Sequence, residues 1–335
     1  NSCYNCPIGC GKLVELRNDK GTILTEGPEY ETIAGFGSLI LNDNLESIKL
    51  ANLLCNMYGL DTISTSSAIG FLFKLYNEDY LDSSNIDGLK LNWGNKNAML
   101  KLIEKIAFRK GIGNILANGS QGVVSHFNLD KNLAATINNM EVPYHDIRSC
   151  FGMALTYTFS PRGPCHTSAD VYKVLRRSNG INFTDLGIEK TNVHSNKIGL
   201  VKSTIKLQDY RAIYSSLILC VFCNPPPKYN LNLYNSIMGT RLNLEEFLKI
   251  GERIFNLKRI FNNKMGLTQK NDQIPQVLLN PTKEGIIRGK SPKFIKLKKN
   301  YYKIRNWDPK TGEPRIPKLE ELGLKELFKK SFRSN

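Results

Sequence analysis

Three cysteines fall within the first ten residues, in Cys3-Tyr4-Asn5-Cys6-Pro7-Ile8-Gly9-Cys10. Two residues separate the first pair and three the second, so three thiolates can curl around one point. Thiolates are soft ligands that select iron–sulfur clusters or zinc over calcium or magnesium. Closing either site takes a further ligand, and cysteine-ligated clusters usually take four thiolates. Zinc sites more often pair two short two-cysteine knuckles at finger-like distance, and no second knuckle follows at that spacing. The best distant candidates are Cys220 and Cys223, in Leu219-Cys220-Val221-Phe222-Cys223. A [4Fe-4S] cluster is the leading reading and zinc the alternative. Cys55 and Cys150, each alone in its stretch, read as free buried cysteines.

The rest of the chain must position such a centre. Its 335 residues suggest two domains at ~100–200 residues each. Hydrophobic residues make up 41%, enough for a real core. There is no signal peptide at the first residue and no run of ~18 apolar residues, so no membrane span is expected. Eight unevenly spaced cysteines fit a reducing cytoplasm and a cluster better than a disulfide framework. The start at Asn1, two residues before a candidate ligand, suggests a fragment. The 46 basic and 30 acidic residues give a net charge of +16 and invite a nucleic-acid reading. Their scatter argues against it: the densest run, Arg288 to Arg305, holds no recognised binding motif. Solvated surface explains the charge, and a basic face could also steer an acidic redox partner.

Most of the periodic signal is helical. Ser47 to Gly59 carries Ile48, Ala51, Leu54, Cys55 and Tyr58 on one face, at the i, i+3, i+4 spacing of a buried helix. Asn97 to Lys110 repeats it with Leu100, Ile103, Ile106 and Ala107, and Gly111 stops it. Leu244 to Met265 is the longest, with Phe247, Ile250, Ile254, Leu257 and Phe261 as its expected buried stripe. Strand-like alternation is scarce. Loops gather at Gly27-Pro28, at Ser160-Pro161-Arg162-Gly163-Pro164 and at Asn224-Pro225-Pro226-Pro227. The expected fold is mostly α and multihelical: two all-α domains, residues 1–135 and 136–335, joined across an iron–sulfur cluster site.

Five motifs in order carry a resemblance over essentially the whole chain. The cysteine triplet is followed by Glu26-Gly27-Pro28-Glu29-Tyr30-Glu31 and Gly59-Leu60-Asp61-Thr62-Ile63-Ser64-Thr65. Arg162-Gly163-Pro164-Cys165-His166 and Lys249-Ile250-Gly251-Glu252-Arg253-Ile254-Phe255-Asn256 come after. This order resembles the C-terminal region of the aldehyde ferredoxin oxidoreductases, the tungsten-pterin enzymes, down to Tyr301-Tyr302-Lys303-Ile304-Arg305-Asn306-Trp307.

The resemblance implies roles residue by residue. Cys3, Cys6 and Cys10 would share one [4Fe-4S] cluster with Cys220, which ends the counterpart of the family's Asp-x-x-Gly-Leu-Cys motif. Cys223 would then be a spare. Asp61 matches the acidic end of an Asp-x-x-Gly-Leu-Asp motif that contacts one of two pterins, and Asn56 replaces its first aspartate. Ser215 and Ile218 replace the aspartate and glycine of the second motif. Asparagine and serine keep hydrogen-bonding capacity toward a pterin ring. The bland alternative for Asp61 is a helix N-cap on Thr62 onward.

Glu31 and His166 match family residues beside the metal's open position, and His145 lies where some relatives have tyrosine. Oxidising an aldehyde to a carboxylate adds an oxygen, removes two electrons and releases protons. A glutamate and a histidine can relay those protons or orient the carbonyl, while tungsten (or molybdenum) acts as Lewis acid and electron acceptor. Leu50 and Leu53 stand where relatives that dimerise through a bridging iron carry a Glu-x-x-His pair, so that iron is not expected.

The expected protein is therefore a cytoplasmic aldehyde:ferredoxin oxidoreductase with a tungsten (or molybdenum) bis-pterin and a [4Fe-4S] cluster. Its expected partners are ferredoxin, an aldehyde substrate and an N-terminal cofactor domain supplied in cis or trans, with neither nucleic acid nor membrane. The rival expectation is a non-catalytic iron–sulfur electron-transfer module or degenerate remnant.

Overall fold

A computed structural model describes residues 1–18 and 21–326. Fourteen α-helices and two small two-stranded antiparallel sheets make up its regular structure, so the fold is mostly α. No described helix is long and apolar enough to cross a membrane. The chain divides into two compact units, Asn1–Tyr144 with Pro275–Val277, and His145–Ile274 with the chain from Leu278 onward.

The first unit opens on the cysteine segment, then a hairpin of β1 (Leu13–Asn18) and β2 (Gly21–Glu26). Six helices follow: α1 (Tyr30–Phe36), α2 (Leu45–Tyr58), α3 (Thr62–Asn77), α4 (Lys96–Ala107), α5 (Ile112–Leu116) and α6 (Gly119–His126). A second pair of strands, β3 (Thr136–Ile137) and β4 (Met140–Glu141), ends the unit. It is held there by the Glu141 carboxylate, which accepts from Ser120 N at 2.7 Å. The hairpin is the departure from an all-helical expectation. Only Leu16 of its described side chains is buried, so it carries little of the alternation by which strands are found.

The helices follow their sequence signals closely. Asn44 caps α2 by accepting from Ser47 N at 2.8 Å, and Gly59 ends it at φ 68°, the left-handed conformation glycine adopts freely. Ile48, Ala51 and Cys55 of α2 join Ile69 and Leu72 of α3 and Leu102, Ile103 and Ile106 of α4 in one core. Gly35 lets α1 lie directly on α3: a Cβ there would sit 2.1 Å from Ser66 Oγ.

The second unit is built around α9 (Ile198–Ser216), buried along most of its length. Before it come α7 (Gly152–Phe159) and the one-turn α8 (Val171–Val174). After it come α10 (Pro227–Met238) and α11 (Leu244–Lys264), then the one-turn α12 (Gln276–Leu279), which has its first two residues in the first unit and its last two in the second, then α13 (Phe294–Arg305) and α14 (Ile316–Glu321). Three buried arginines are each paired with a buried aspartate: Arg211 with Asp170, Arg259 with Asp272 and Arg305 with Asp209. Pairing offsets the large cost of burying either charge alone.

The buried stripe of α11 differs from the expected one. Phe247, Gly251, Phe255, Asn256, Arg259 and Ile260 face inward, while Leu257 and Phe261 are 43% and 62% exposed. Gly251 decides this, because the helix approaches α9 so closely that a Cβ would stand 2.0 Å from Asp209 O. The polar residues drawn inward are satisfied: Asn256 Oδ1 accepts from Trp307 Nε1 at 2.8 Å, and Arg259 holds Asp272.

Candidate functional site

In the first unit the Gly27-Pro28 turn leads into α1 and sets Glu31 in its first turn. Asn52 on α2 steadies the approach by donating to Glu26 O at 3.0 Å. Glu31 is buried, and its Oε2 accepts from Tyr144 N at 2.7 Å. Tyr144 is itself anchored, its hydroxyl 2.7 Å from Ser66 Oγ and 2.8 Å from Ser67 Oγ. Burial pushes the Glu31 carboxyl above the usual carboxylate range; the Tyr144 amide opposes this and nearby Asp61 adds to it. Glu31, Asn56 and Asp61 come together on one cavity of about 280 Å³, with Gly27 and Thr32. Asp61 also caps α3, accepting from Ser64 N at 2.7 Å, as its alternative reading expected.

In the second unit His166 opens a short 3₁₀ turn after the Arg-Gly-Pro-Cys motif. Asn262 of α11 pins that loop by donating to Pro161 O at 2.7 Å. The His166 ring lies 5.1 Å from that of His145, which stacks on Tyr172 at 4.0 Å. Burial, with Lys173 and Arg162 nearby, pulls His166 down to about 4; burial, His166 and Lys173 do the same to His145. Both rings are therefore neutral near pH 7.

These imidazoles give stability a definite pH dependence. Unfolded, each takes a proton near the usual 6.5; folded, each stays neutral down to about 4. The unfolded chain binds more protons in that window, so the histidines' contribution is full above 6.5 and is lost as pH falls through it. The rings are partly solvated, so about 1–2 kcal/mol each is expected after screening. Denaturant titrations of wild type and His145→Gln at about pH 7 and about pH 4.5 check this, with a smaller acid loss expected in the variant. Equal losses would contradict it.

Sequence reasoning noted the Arg-Gly-Pro-Cys-His run but missed Cys165 itself. Arg162 Nη2 donates to its sulfur at 2.7 Å, and Thr167 Oγ1 lies 3.1 Å away. Burial alone would raise this thiol, but Ser168, Thr167 and Arg162 outweigh it and leave it lowered. An arginine three residues before a cysteine in one tight loop was the available signal. Ser215, at the end of α9, shares an open cavity of about 830 Å³ with Arg162, Ser168 and Lys258.

The cysteine triplet belongs to the first unit and Cys220 to the second. Cys3 and Cys10 are exposed, Cys6 is half-buried, and none is in a disulfide. Cys6 N donates to Cys3 O at 3.0 Å, and left-handed Asn5 and Gly9 turn the chain between the cysteines. At the distal end Phe222 N donates to Cys220 Sγ at 3.4 Å.

The segments that hold residues 56–61 and 215–220 have the same local form, a helix end. Gly59 (φ 68°) ends α2, with Leu60 N donating to Cys55 O at 2.9 Å; Ile218 (φ 58°) follows α9, with Leu219 N donating to Tyr214 O at 2.9 Å. A β-branched residue in this conformation is strained by ~1–2 kcal/mol. Ile218 is 92% exposed, so it recovers little by packing. Ile218→Gly is expected to stabilise the chain by about 1 kcal/mol in denaturant titration. A loss of stability would mean that the isoleucine side chain matters.

Residues 1–324 match the family model for aldehyde ferredoxin oxidoreductase, domains 2 and 3. The chain is 34% identical over 334 residues to the tungsten-containing aldehyde ferredoxin oxidoreductase of Pyrococcus furiosus, covering 97% of this chain and 53% of that protein. The enzyme of the same description from Thermococcus kodakarensis is 35% identical with the same coverage. The WOR-like subunit of an aliphatic sulfonate oxidoreductase from Pyrococcus furiosus is 29% identical, over 96% of this chain and 50% of its own length. The chain thus spans about half the length of the curated relatives it matches. Among solved structures, the active-site complex BamBC of benzoyl coenzyme A reductase, in complex with 1,5-dienoyl-CoA, has the same fold. Its TM-score is 0.73 at 20% identity, over all of this chain and 54% of that one.

Proposed function

Since this chain belongs to the aldehyde ferredoxin oxidoreductase family, as its domains 2 and 3, we propose that it forms the substrate and electron-exit side of an aldehyde-oxidising enzyme. The observation that carries the reading is Glu31, a buried carboxyl of raised proton affinity on the cavity it shares with Asn56 and Asp61. When bound, a tungsten (or molybdenum) bis-pterin would supply a Lewis acid and two-electron acceptor, and a [4Fe-4S] cluster the one-electron exit to ferredoxin.

The polar edges of both halves fit the pterins: Asn56 and Asp61 on one cavity, Ser215 on another, all with hydrogen-bonding capacity. The all-thiolate donor set of Cys3, Cys6, Cys10 and Cys220 fits the cluster.

This chain's residues handle the protons. The Glu31 carboxyl, held at Oε2 by the Tyr144 amide and raised in proton affinity by burial, is placed to exchange a proton as water and aldehyde become carboxylate. His166, neutral in its buried setting, accepts a proton or orients the carbonyl. An N-terminal cofactor domain, in cis or trans, completes the cradle in a cytoplasmic enzyme. The rival, a cluster-binding module without turnover, is favoured by one observation: the Asp61 carboxylate already serves as a helix cap.

The deciding experiment loads the chain, together with a family N-terminal domain, with metal, pterin and cluster, and follows aldehyde-dependent reduction of ferredoxin. Turnover with carboxylate as product supports the reading. Full loading without aldehyde oxidation overturns it in favour of the rival.

A further inference from the structure

Arg211 of α9 reaches two segments that matter for different reasons. Its Nε and Nη2 donate to the two oxygens of Asp170 at 2.8 and 2.9 Å, and Nη2 also donates to Asn224 Oδ1 at 2.6 Å. Asp170 lies four residues after His166 (170 − 166), and Asn224 four after Cys220 (224 − 220). All three side chains belong to the second unit, and both Arg211 and Asp170 are almost fully buried.

The cysteine loop receives a second strut from the same face of α9. Tyr214, one turn on, donates its hydroxyl to Cys223 O at 3.2 Å, and its ring lies 4.6 Å from the Arg211 guanidinium. Asn230 Nδ2 donates to that hydroxyl in turn at 3.0 Å. Inside the loop, Asn224 Nδ2 donates to Val221 O, so the strut from Arg211 arrives at a side chain that shapes the turn after Cys220.

We propose that Arg211 is a positioning residue that holds the distal-cysteine loop and the His166 segment in one frame, tying the electron-exit end of the unit to its proton-handling end. This rests on the reading of Cys220 as a cluster ligand. A planar guanidinium serves two partners at fixed angles, whereas a lysine offers a point charge and cannot hold both. Groups that orient a metal ligand from behind typically matter by ~10–100-fold in metal retention.

The test reconstitutes the full chain anaerobically with iron and sulfide and follows iron release to a chelator, with the spectrum and midpoint potential of the reduced cluster. Arg211→Lys and Asn224→Ala are expected to release iron ~10–100-fold faster and to shift the potential. Asp272→Asn breaks an equally buried pair in the same unit, with no arm to the cysteine loop, and should release iron at the wild-type rate. Wild-type release and potential in both Arg211→Lys and Asn224→Ala, or equal acceleration in Asp272→Asn, would overturn the proposal.

Backbone hydrogen exchange separates this outcome from failure of the cluster reading. If wild type takes up no iron, that reading falls. Faster exchange across 219–224 in Arg211→Lys, with α9 unchanged, would still establish Arg211 as the strut of the loop, and unchanged loop exchange would remove it.

Discussion

Cys220→Ser is expected to strip the chain of most of its cluster, from about four irons per chain in anaerobically reconstituted wild type toward none, while Cys223→Ser keeps wild-type iron and spectrum. The two cysteines lie three residues apart, both exposed, so exposure does not separate them. What separates them is the backbone: the Phe222 amide points at Cys220 Sγ, and Cys223 N is turned away to Cys220 O at 3.1 Å. Serine removes the soft donor and leaves a hard oxygen with poor affinity for iron–sulfide chemistry. Iron quantification with electron paramagnetic resonance of the reduced protein decides the matter. Loss in Cys223→Ser with retention in Cys220→Ser, or stoichiometric zinc in place of iron, would refute the ligand assignment.

In the completed, fully loaded enzyme, Glu31→Gln should lower kcat by ~10²–10⁴-fold, the usual worth of a positioned acid or base. Glutamine keeps the size of the side chain and its acceptor toward Tyr144 N, but carries no titratable proton. The same change removes a carboxylate whose burial disfavours its charge, so the variant should be slightly more stable than wild type near neutral pH. Activity down and stability up is a combination that damage to the fold does not produce. His166→Asn sorts the remaining roles: a proton carrier loses kcat, and a group that only orients the carbonyl raises KM with little change in kcat. Wild-type kcat and KM in both variants, at full cofactor loading, would make these positions structural.

Much of this was legible locally. The cysteine triplet is a statement about spacing, and spacing over eight residues survives any fold. The starts of α2 and α4 follow from asparagine caps and the end of α2 from its glycine, all short-range effects. But α4 ends at Ala107, before the Gly111 expected to stop it, and Gly111 instead precedes α5. The missed hairpin β1–β2 shows the limit of pattern, because strands that bury almost nothing have no reason to alternate. On α11 the 3.6-residue period correctly announced a helix but named the wrong face. Period reports where apolar residues lie, and the buried face went to Gly251, Asn256 and Arg259 because each has a partner or a close neighbour from a distant segment.

The sequence by itself therefore determined the mostly helical class, the caps of α2 and the soft donor set at the N-terminus, since these depend on neighbours a few residues away. Tertiary structure alone decided the chemistry of the site residues. Glu31 is an ordinary glutamate until burial raises its proton affinity and Tyr144, 113 residues on, supplies an amide to its carboxylate. His166 is an ordinary histidine until burial beside Lys173 and Arg162 keeps it neutral. Arg211 is one of 46 basic residues until α9 carries it between Asp170 and Asn224. Desolvation and partner geometry set proton affinity and ligand position, and both arise only when segments far apart in the chain are packed together.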